Sequence, residues 1–175
     1  MEIETTRLIL RPWRAGEEAF LAQFLQDERV MYAYEGAFSA EEVKNWLQWN
    51  LRLYQEKGYG LLAIVRKSDN KIIGECGLTD QIVQDETYLE IGYHLIYDAW
   101  KNGYAIEAAK AVKEYALMQL GAKEVVSIVR DTNLASMNVA IPNGMFVKER
   151  FIKNYRNVVM PHYLFSTCTS TISQK

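Results

Sequence analysis

The chain has little of what metal, disulfide and hydrolase sites are made from. Its two histidines, His94 and His162, and its two cysteines, Cys76 and Cys168, show no metal-type spacing, so no metal site is expected. The cysteines point to reduced thiols in a cytoplasmic protein rather than to a disulfide scaffold. A serine elbow and a cysteine–histidine signature are both missing, which argues against nucleophilic hydrolysis. So are a Gly-Lys-Ser/Thr phosphate loop and a three-glycine dinucleotide fingerprint, so a nucleotide-like ligand needs a different anion site. No apolar run approaches the length of a membrane span, and Met1-Glu2-Ile3-Glu4 lacks the basic-then-apolar order of a signal peptide. Neither sign of charge is in excess: 20 basic and 22 acidic residues give a net charge of −2. That balance argues against nucleic acid or a membrane surface as partner. What is present is a 175-residue chain, 49% hydrophobic and 24% charged, which reads as one globular domain over residues 1–175.

Hydrophobic period divides it into elements. Glu4 to Trp13 alternates around Leu8 and Leu10 and stops at Pro12, as a strand does. Glu17–Gln26 places Phe20, Leu21, Phe24 and Leu25 on one helical side. Ser39 with Glu42 has the form of a capping box, and the helix it opens carries Val43, Trp46, Leu47, Leu51 and Tyr54 and ends near Gly58. Trp46 and Trp49 read as core and rim packing. Gly60–Arg66 and Lys71–Leu78 form a hairpin, in which Gly74 and Gly77 mark a bulge or a close backbone approach. Gln81–Glu86 reads as a loop before a third strand, Thr87–Ile96. A helix from Tyr104 to Leu120 turns Ala105, Ala108, Ala109, Val112, Ala116 and Leu120 inward and stops at Gly121. Glu124–Arg130 then follows as a strand parallel to its predecessor. A short helix Leu134–Ala140 and strands near Met145–Tyr155 and Val158–Thr167 complete a mixed α/β order.

The stretch Tyr93–Ala109 changes period abruptly, from a strand to a glycine turn to an alanine-rich helix. A turn that opens a helix presents N–H groups without internal partners, and these favour an anion. An ordinary strand-to-helix connection would read the same way.

Three patterns in this order resemble the GNAT superfamily of N-acetyltransferases, most closely its Rim-type ribosomal-protein N-acetyltransferase branch. Trp100-Lys101-Asn102-Gly103-Tyr104-Ala105 is similar to the family's acetyl-CoA pyrophosphate turn. Asn133-Leu134-Ala135-Ser136-Met137-Asn138-Val139, followed by Gly144, is similar to its next helix, and Thr6–Pro12 to the branch's first strand. The resemblance spans nearly the whole chain. It implies a mostly antiparallel central sheet of about six or seven strands with about four helices, splayed at the family's fourth and fifth strands. It also implies acetyl-CoA as co-substrate and an amine acceptor, either a protein N-terminus or a small molecule.

Roles follow from the resemblance residue by residue. The turn from Trp100 and Lys101 through Asn102, Gly103, Tyr104 and Ala105 is expected to hold the pyrophosphate. Strand backbone at His94, Leu95 and Ile96 is expected to pair with pantetheine and to polarise the thioester carbonyl. Asn133 and Asn138 are expected beside the cofactor, and Lys101 is either near a phosphate or solvated. Glu90 is the candidate base through water, unless it is a solvent-facing strand glutamate. Ser136 is the candidate proton donor to the thiolate, unless it caps its helix. Many members carry a tyrosine acid where Ala140 stands here, and Pro142 departs from the branch's usual helix ending. Trp100 stands where other members have Gln or Arg.

Acidic residues Asp27, Glu28, Glu35, Asp80, Asp85 and Glu86, with Glu90, either attract a cationic acceptor or are solvated loop charges. The competing function is a CoA-binding GNAT-fold module that senses or scaffolds without catalysis. Monomer and homodimer are both open.

Overall fold

The computed structural model describes residues 1–168. Its strands are β1 (Ile3–Glu4), β2 (Leu8–Pro12), β3 (Leu61–Arg66), β4 (Lys71–Val83), β5 (Glu86–Leu95), β6 (Val126–Arg130), β7 (Phe146–Tyr155) and β8 (Val158–Ser166). The helices are α1 (Glu18–Leu25), α2 (Glu28–Met31), α3 (Ala40–Lys57), α4 (Tyr104–Met118) and α5 (Leu134–Ala140), with single 3₁₀ turns at Tyr32–Tyr34 and Tyr97–Ala99. One eight-stranded sheet runs β1-β2-β3-β4-β5-β6-β8-β7. Every neighbouring pair is antiparallel except β5–β6, which is parallel across the α4 crossover.

The fold is a mixed α/β architecture of the kind the resemblance implies, with eight strands and five helices against the expected six or seven and about four. The additions are short. β1 pairs only Ile3 with Leu10 and Glu4 with Ile9, and α2 is a four-residue helix capped by Asp27, which accepts from the Arg29 N–H. Neither is long enough to show a period. Two boundaries also differ. The run Gln81–Glu86 is not a loop: β4 continues to Val83 and turns in two residues, Gln84 and Asp85, at φ 50° and 69°. Positive φ at both turn residues matches the twist of a tight hairpin. Helix α4 ends at Met118, and Leu120 is 41% exposed rather than inward.

The sheet is covered on both faces, so β3 is buried along Leu61–Val65 with no polar alternation. Leu62 and Ile64 join the core under α4, with Ala108, Ala109, Val112 and Ala116, whereas Ala63 joins the core of Trp13, Phe24, Val43 and Leu47 under α1 and α3. The capping box at Ser39 and Glu42 is formed with both of its bonds.

A β-bulge decides where the chemistry can sit. Gly74 pairs with Ile64 and Ile72 with Val65, so Ile73 is the extra residue. Gly74 lies at φ 156°, and a Cβ there would come within 2.1 Å of the His94 carbonyl oxygen. Without the bulge, Ile73 and Glu75 would share a face. With it, Ile73, Cys76 and Leu78 all pack under α4, and Glu75 turns to the opposite face, against Trp13 and Trp46.

Candidate active site

Strands β5 and β6 share a single ladder pair, Glu90 with Val126, and beyond it they separate. Two side chains bridge the fork. The Ile128 N–H donates to Glu90 Oε1 at 3.2 Å and Ser127 Oγ donates to the Ile91 carbonyl at 3.0 Å. A cleft of about 1030 Å³ opens from this fork, walled by β5, β6, the start of α4, α5, the Tyr32–Tyr34 turn, α3 and the β7–β8 hairpin.

Successive strand residues turn their main-chain groups to alternate edges. The Ile96 N–H is taken by the Ile73 carbonyl on β4, while the Ile91 carbonyl faces β6. The main-chain groups of Tyr93 and the N–H of Leu95 therefore face the gap, and those of His94 face β4. Trp100 Nε1 donates to the Leu95 carbonyl at 3.0 Å and fixes that end of the strand.

The turn that follows leaves main-chain N–H groups at a helix start, an arrangement that favours an anion. Lys101 and Gly103 both have positive φ, 61° and 77°, and no side chain caps α4. The first bond within the helix is Glu107 N–H to the Gly103 carbonyl, so the N–H groups before it lack helical partners. The turn is braced from the first strands. Arg7 donates through Nη1 to the Asn102 carbonyl at 2.9 Å and through Nε to Glu107 Oε2 at 2.6 Å. Glu107 also accepts from Thr5 Oγ1 and the Arg7 N–H. Burial raises the Glu107 pKa, and these donors outweigh it and hold the carboxyl below its ordinary value.

Of the residues singled out in the sequence, the cleft brings together Glu90, His94, Leu95, Trp100, Lys101, Gly103, Tyr104, Ala105, Asn133, Ser136 and Asn138. Ile96 and Asn102 are not on its wall. Ile96 packs against both cores, and the Asn102 side chain donates to the Ala99 and Trp100 carbonyls within the turn. Asn133 caps α5 by accepting from the Ser136 N–H, and its Oδ1 also accepts from the Tyr32 hydroxyl at 2.8 Å. Its amide N–H groups are what it offers a ligand. The Ser136 carbonyl accepts from the Tyr93 hydroxyl at 2.8 Å. Glu90 is raised above the ordinary carboxyl pKa, mainly by burial and against the Ile128 N–H. Ala140, 1% exposed, closes the position where a tyrosine would sit. Of the other acidic residues named above, Glu35 pairs with Arg130, Asp27 with Arg29 and Asp80 with Lys57.

The sequence reading missed the polar group on the other wall. Glu75, fully buried, accepts from Trp13 Nε1 and Trp46 Nε1, both at 3.1 Å, and lies 3.0 Å from His94 Nδ1. His94 Nε2 is 3.0 Å from the Tyr34 hydroxyl. The signal was a lone charge inside the apolar run Ile72–Leu78. Among the described residues no group of three or more His, Cys, Asp or Glu could hold a metal, and no helix is long and apolar enough to cross a membrane.

Comparison with known proteins places this geometry. Residues 7–145 match the model of the acetyltransferase (GNAT) domain. The uncharacterized N-acetyltransferase YoaA of Bacillus subtilis (strain 168) is 34% identical over 155 residues, 87% of this chain and 86% of that protein. A GNAT-family acetyltransferase from Bacillus anthracis superposes with a TM-score of 0.80 at 21% identity, covering 95% of this chain and 97% of the other. The ribosomal L7/L12 α-N-protein acetyltransferase RimL, in complex with coenzyme A, has the same fold at a TM-score of 0.76 and 18% identity, with 95% and 97% covered. A forked sheet with an uncapped helix turn at its mouth, and a family model that spans most of the chain, lead to one statement: this protein belongs to the GNAT acetyltransferase family.

Proposed function

We propose that the protein is an acetyl-CoA-dependent N-acetyltransferase that moves the acetyl group to a primary amine by direct attack in a ternary complex. The observation that carries this reading is the fork itself, which leaves main-chain groups of β5 unpaired beside Glu90. A pantetheine arm is a chain of amides, and it fits such an edge as an added strand does. The thioester carbonyl would then lie against a strand N–H, and the α4 turn would take the pyrophosphate.

In this reading Glu90, through water, removes a proton from the acceptor ammonium. The amine nitrogen attacks the thioester carbon, the C–N bond forms and the C–S bond breaks. Ser136 gives a proton to the departing thiolate and regains one from solvent. The raised pKa of Glu90 suits a base that works near neutrality. An α-amine, with a pKa of about 7.7–8.0, is roughly one-tenth neutral at pH 7, whereas a lysine at about 10.4 is almost wholly charged. A base reached through water therefore suits an α-amine better. RimL, a structural neighbour, is by its description an α-N-protein acetyltransferase.

The test is thiol release from acetyl-CoA over a panel of N-terminal peptides and small primary amines, with the product identified by mass. Turnover with an acetylated amine product is expected. Stabilisation by acetyl-CoA without thiol release from any acceptor would instead establish a non-catalytic CoA-binding module.

A further inference from the structure

Two protons must leave an acceptor ammonium before it becomes an amide nitrogen, and Glu90 accounts for one. The second sits on the nitrogen of the tetrahedral adduct. Until it is lost, nitrogen competes with sulfur as the leaving group. An α-amine of pKa about 7.7–8.0 is less basic than a thiolate of about 8.5, so the adduct tends to revert.

The Glu75–His94–Tyr34 chain is placed to take this proton. Glu75 and His94 are directly opposed cross-strand partners on β4 and β5. Both Glu75 oxygens already accept indole N–H groups, which satisfies a buried carboxylate. Of a carboxylate and an imidazole, the imidazole holds a shared proton. His94 therefore donates from Nδ1 and keeps Nε2 as an acceptor, and the Tyr34 hydroxyl donates to Nε2. That leaves the oxygen lone pairs of Tyr34 turned to the cleft, which Tyr34 lines together with Glu90 and Tyr155. His94 is wedged between Phe24, stacked at 6.0 Å, and Trp46, edge-on at 6.2 Å, so the ring has one orientation.

We propose that Tyr34 accepts the second amine proton, with His94 and Glu75 as its positioning residues; this rests on the acetyltransferase reading above. The adduct N–H bond breaks toward Tyr34 oxygen as the Tyr34 O–H proton passes to His94 Nε2. The resulting imidazolium is held against the Glu75 carboxylate. Collapse of the adduct then breaks C–S, the thiolate takes its proton from Ser136, solvent restores the Ser136 hydroxyl, and Glu90 and, through Tyr34, His94 return their protons to solvent. The charged and titratable groups around the relay are Glu75, Glu90 and Tyr155. Burial, and after it the charges of Glu90 and Glu75, hold Tyr34 above the ordinary phenol pKa, so it keeps the proton it must hand on.

The test has two parts. With only two histidines in the chain, ¹⁵N spectra of labelled protein, assigned with His162→Gln, read the His94 tautomer directly. Protonated Nδ1 with bare Nε2 is expected in the native protein. Glu75→Gln, whose amide can donate to Nδ1, should reverse the tautomer. Thiol release with α-amine peptides then compares Tyr34→Phe, Glu75→Gln and the double variant, each checked for an unchanged thermal shift with acetyl-CoA. Each single change should lower kcat by ~10-fold or more, and the double variant should be no worse than either, because the residues act as one unit. A native Nε2–H tautomer, unchanged rates in Tyr34→Phe, or additive losses would overturn the relay while the acetyltransferase stands. A native protein inert toward every amine would remove both.

Discussion

Arg7 Nε lies 2.6 Å from Glu107 Oε2, so the start of the chain and the first turn of α4 hold each other across 100 positions of sequence. The same guanidinium donates to the Asn102 carbonyl and stacks 4.6 Å over the Tyr104 ring. One side chain thus ties the turn's carbonyl, its first helical ring and its helix carboxylate together. Arg7 belongs to the strand pattern that resembled the family, and here that pattern does work at the other end of the sequence.

Arg7→Ala should therefore weaken acetyl-CoA more than the acceptor. The side chain is 45% exposed, so water replaces part of what is lost. A rise of about 3- to 10-fold in the acetyl-CoA KM, with acceptor KM little changed, is expected from hydrogen bonds to a charged group at a wet site. Steady-state kinetics with each substrate varied in turn provides the measurement.

Glu107 also makes the turn sensitive to acid. Its folded pKa lies below the ordinary carboxyl value despite burial, because Thr5 and Arg7 donate to it. A depressed carboxyl pKa contributes stability above the unfolded value and loses it as pH falls through the folded one. Melting curves of native protein and Glu107→Gln should differ at pH 6–7 and converge as pH falls below about 4.5. A constant difference down to pH 3 would place the contribution elsewhere.

Gly103→Ala tests the cradle itself. At φ 77° an alanine is strained, and its Cβ would lie 3.4 Å from Arg7 Nη2. The strain is of order 1–3 kcal/mol, and either the turn or the Arg7 brace must move. Acetyl-CoA affinity by titration calorimetry should fall by about 10-fold or more, and the melting temperature by about 2–12 °C.

Glu90→Gln should lower kcat/KM for amines by about 10²-fold or more and leave acetyl-CoA affinity near native. In native protein the rate should fall as pH drops through the Glu90 pKa, which is displaced upward, because the base must be unprotonated. The acid limb should therefore sit above the ordinary carboxylate range, and in the variant it should give way to one set by the acceptor α-amine itself, at about 7.7–8.0. A limb that stays at its native position in Glu90→Gln would assign the base to another group.

Ser136→Ala should slow thiolate departure with α-amine acceptors. A loss of about 10-fold in kcat is expected, at an unchanged acetyl-CoA KM, since the Asn133 cap bonds the Ser136 main chain and not its hydroxyl.

The fold was legible wherever a period could declare itself. Leu134–Ala140 has the same bounds in sequence and structure, and the Ser39 box opens α3. The β4–β5 turn was not, because Ile82 and Val83 are flanked by Gln81, Gln84 and Asp85 and two apolar residues are too few to show a period; Val83 is buried and Ile82 is 75% exposed. At the site, the Trp100–Ala105 turn and the Asn133 helix are local patterns, so a resemblance in sequence can point to them. The Glu75–His94–Tyr34 chain joins β4, β5 and the turn after α2, and only the bulge at Ile73 brings its carboxylate to the right face. No spacing along the chain encodes that. It exists only in the pairing.

The fork between β5 and β6 also bears on how the protein lives between turnovers. Five strands lie on one side of it and three on the other, and one ladder pair joins them. Without an acyl donor, the chain carries two unmade sheet edges in its own interior, the kind of surface to which foreign strands add. A ligand that fills them is then mortar as well as substrate, and at 100 times its Kd it would add about 2.7 kcal/mol to stability. Any ligand seated in the fork would therefore raise the protein's thermal stability as its concentration rises.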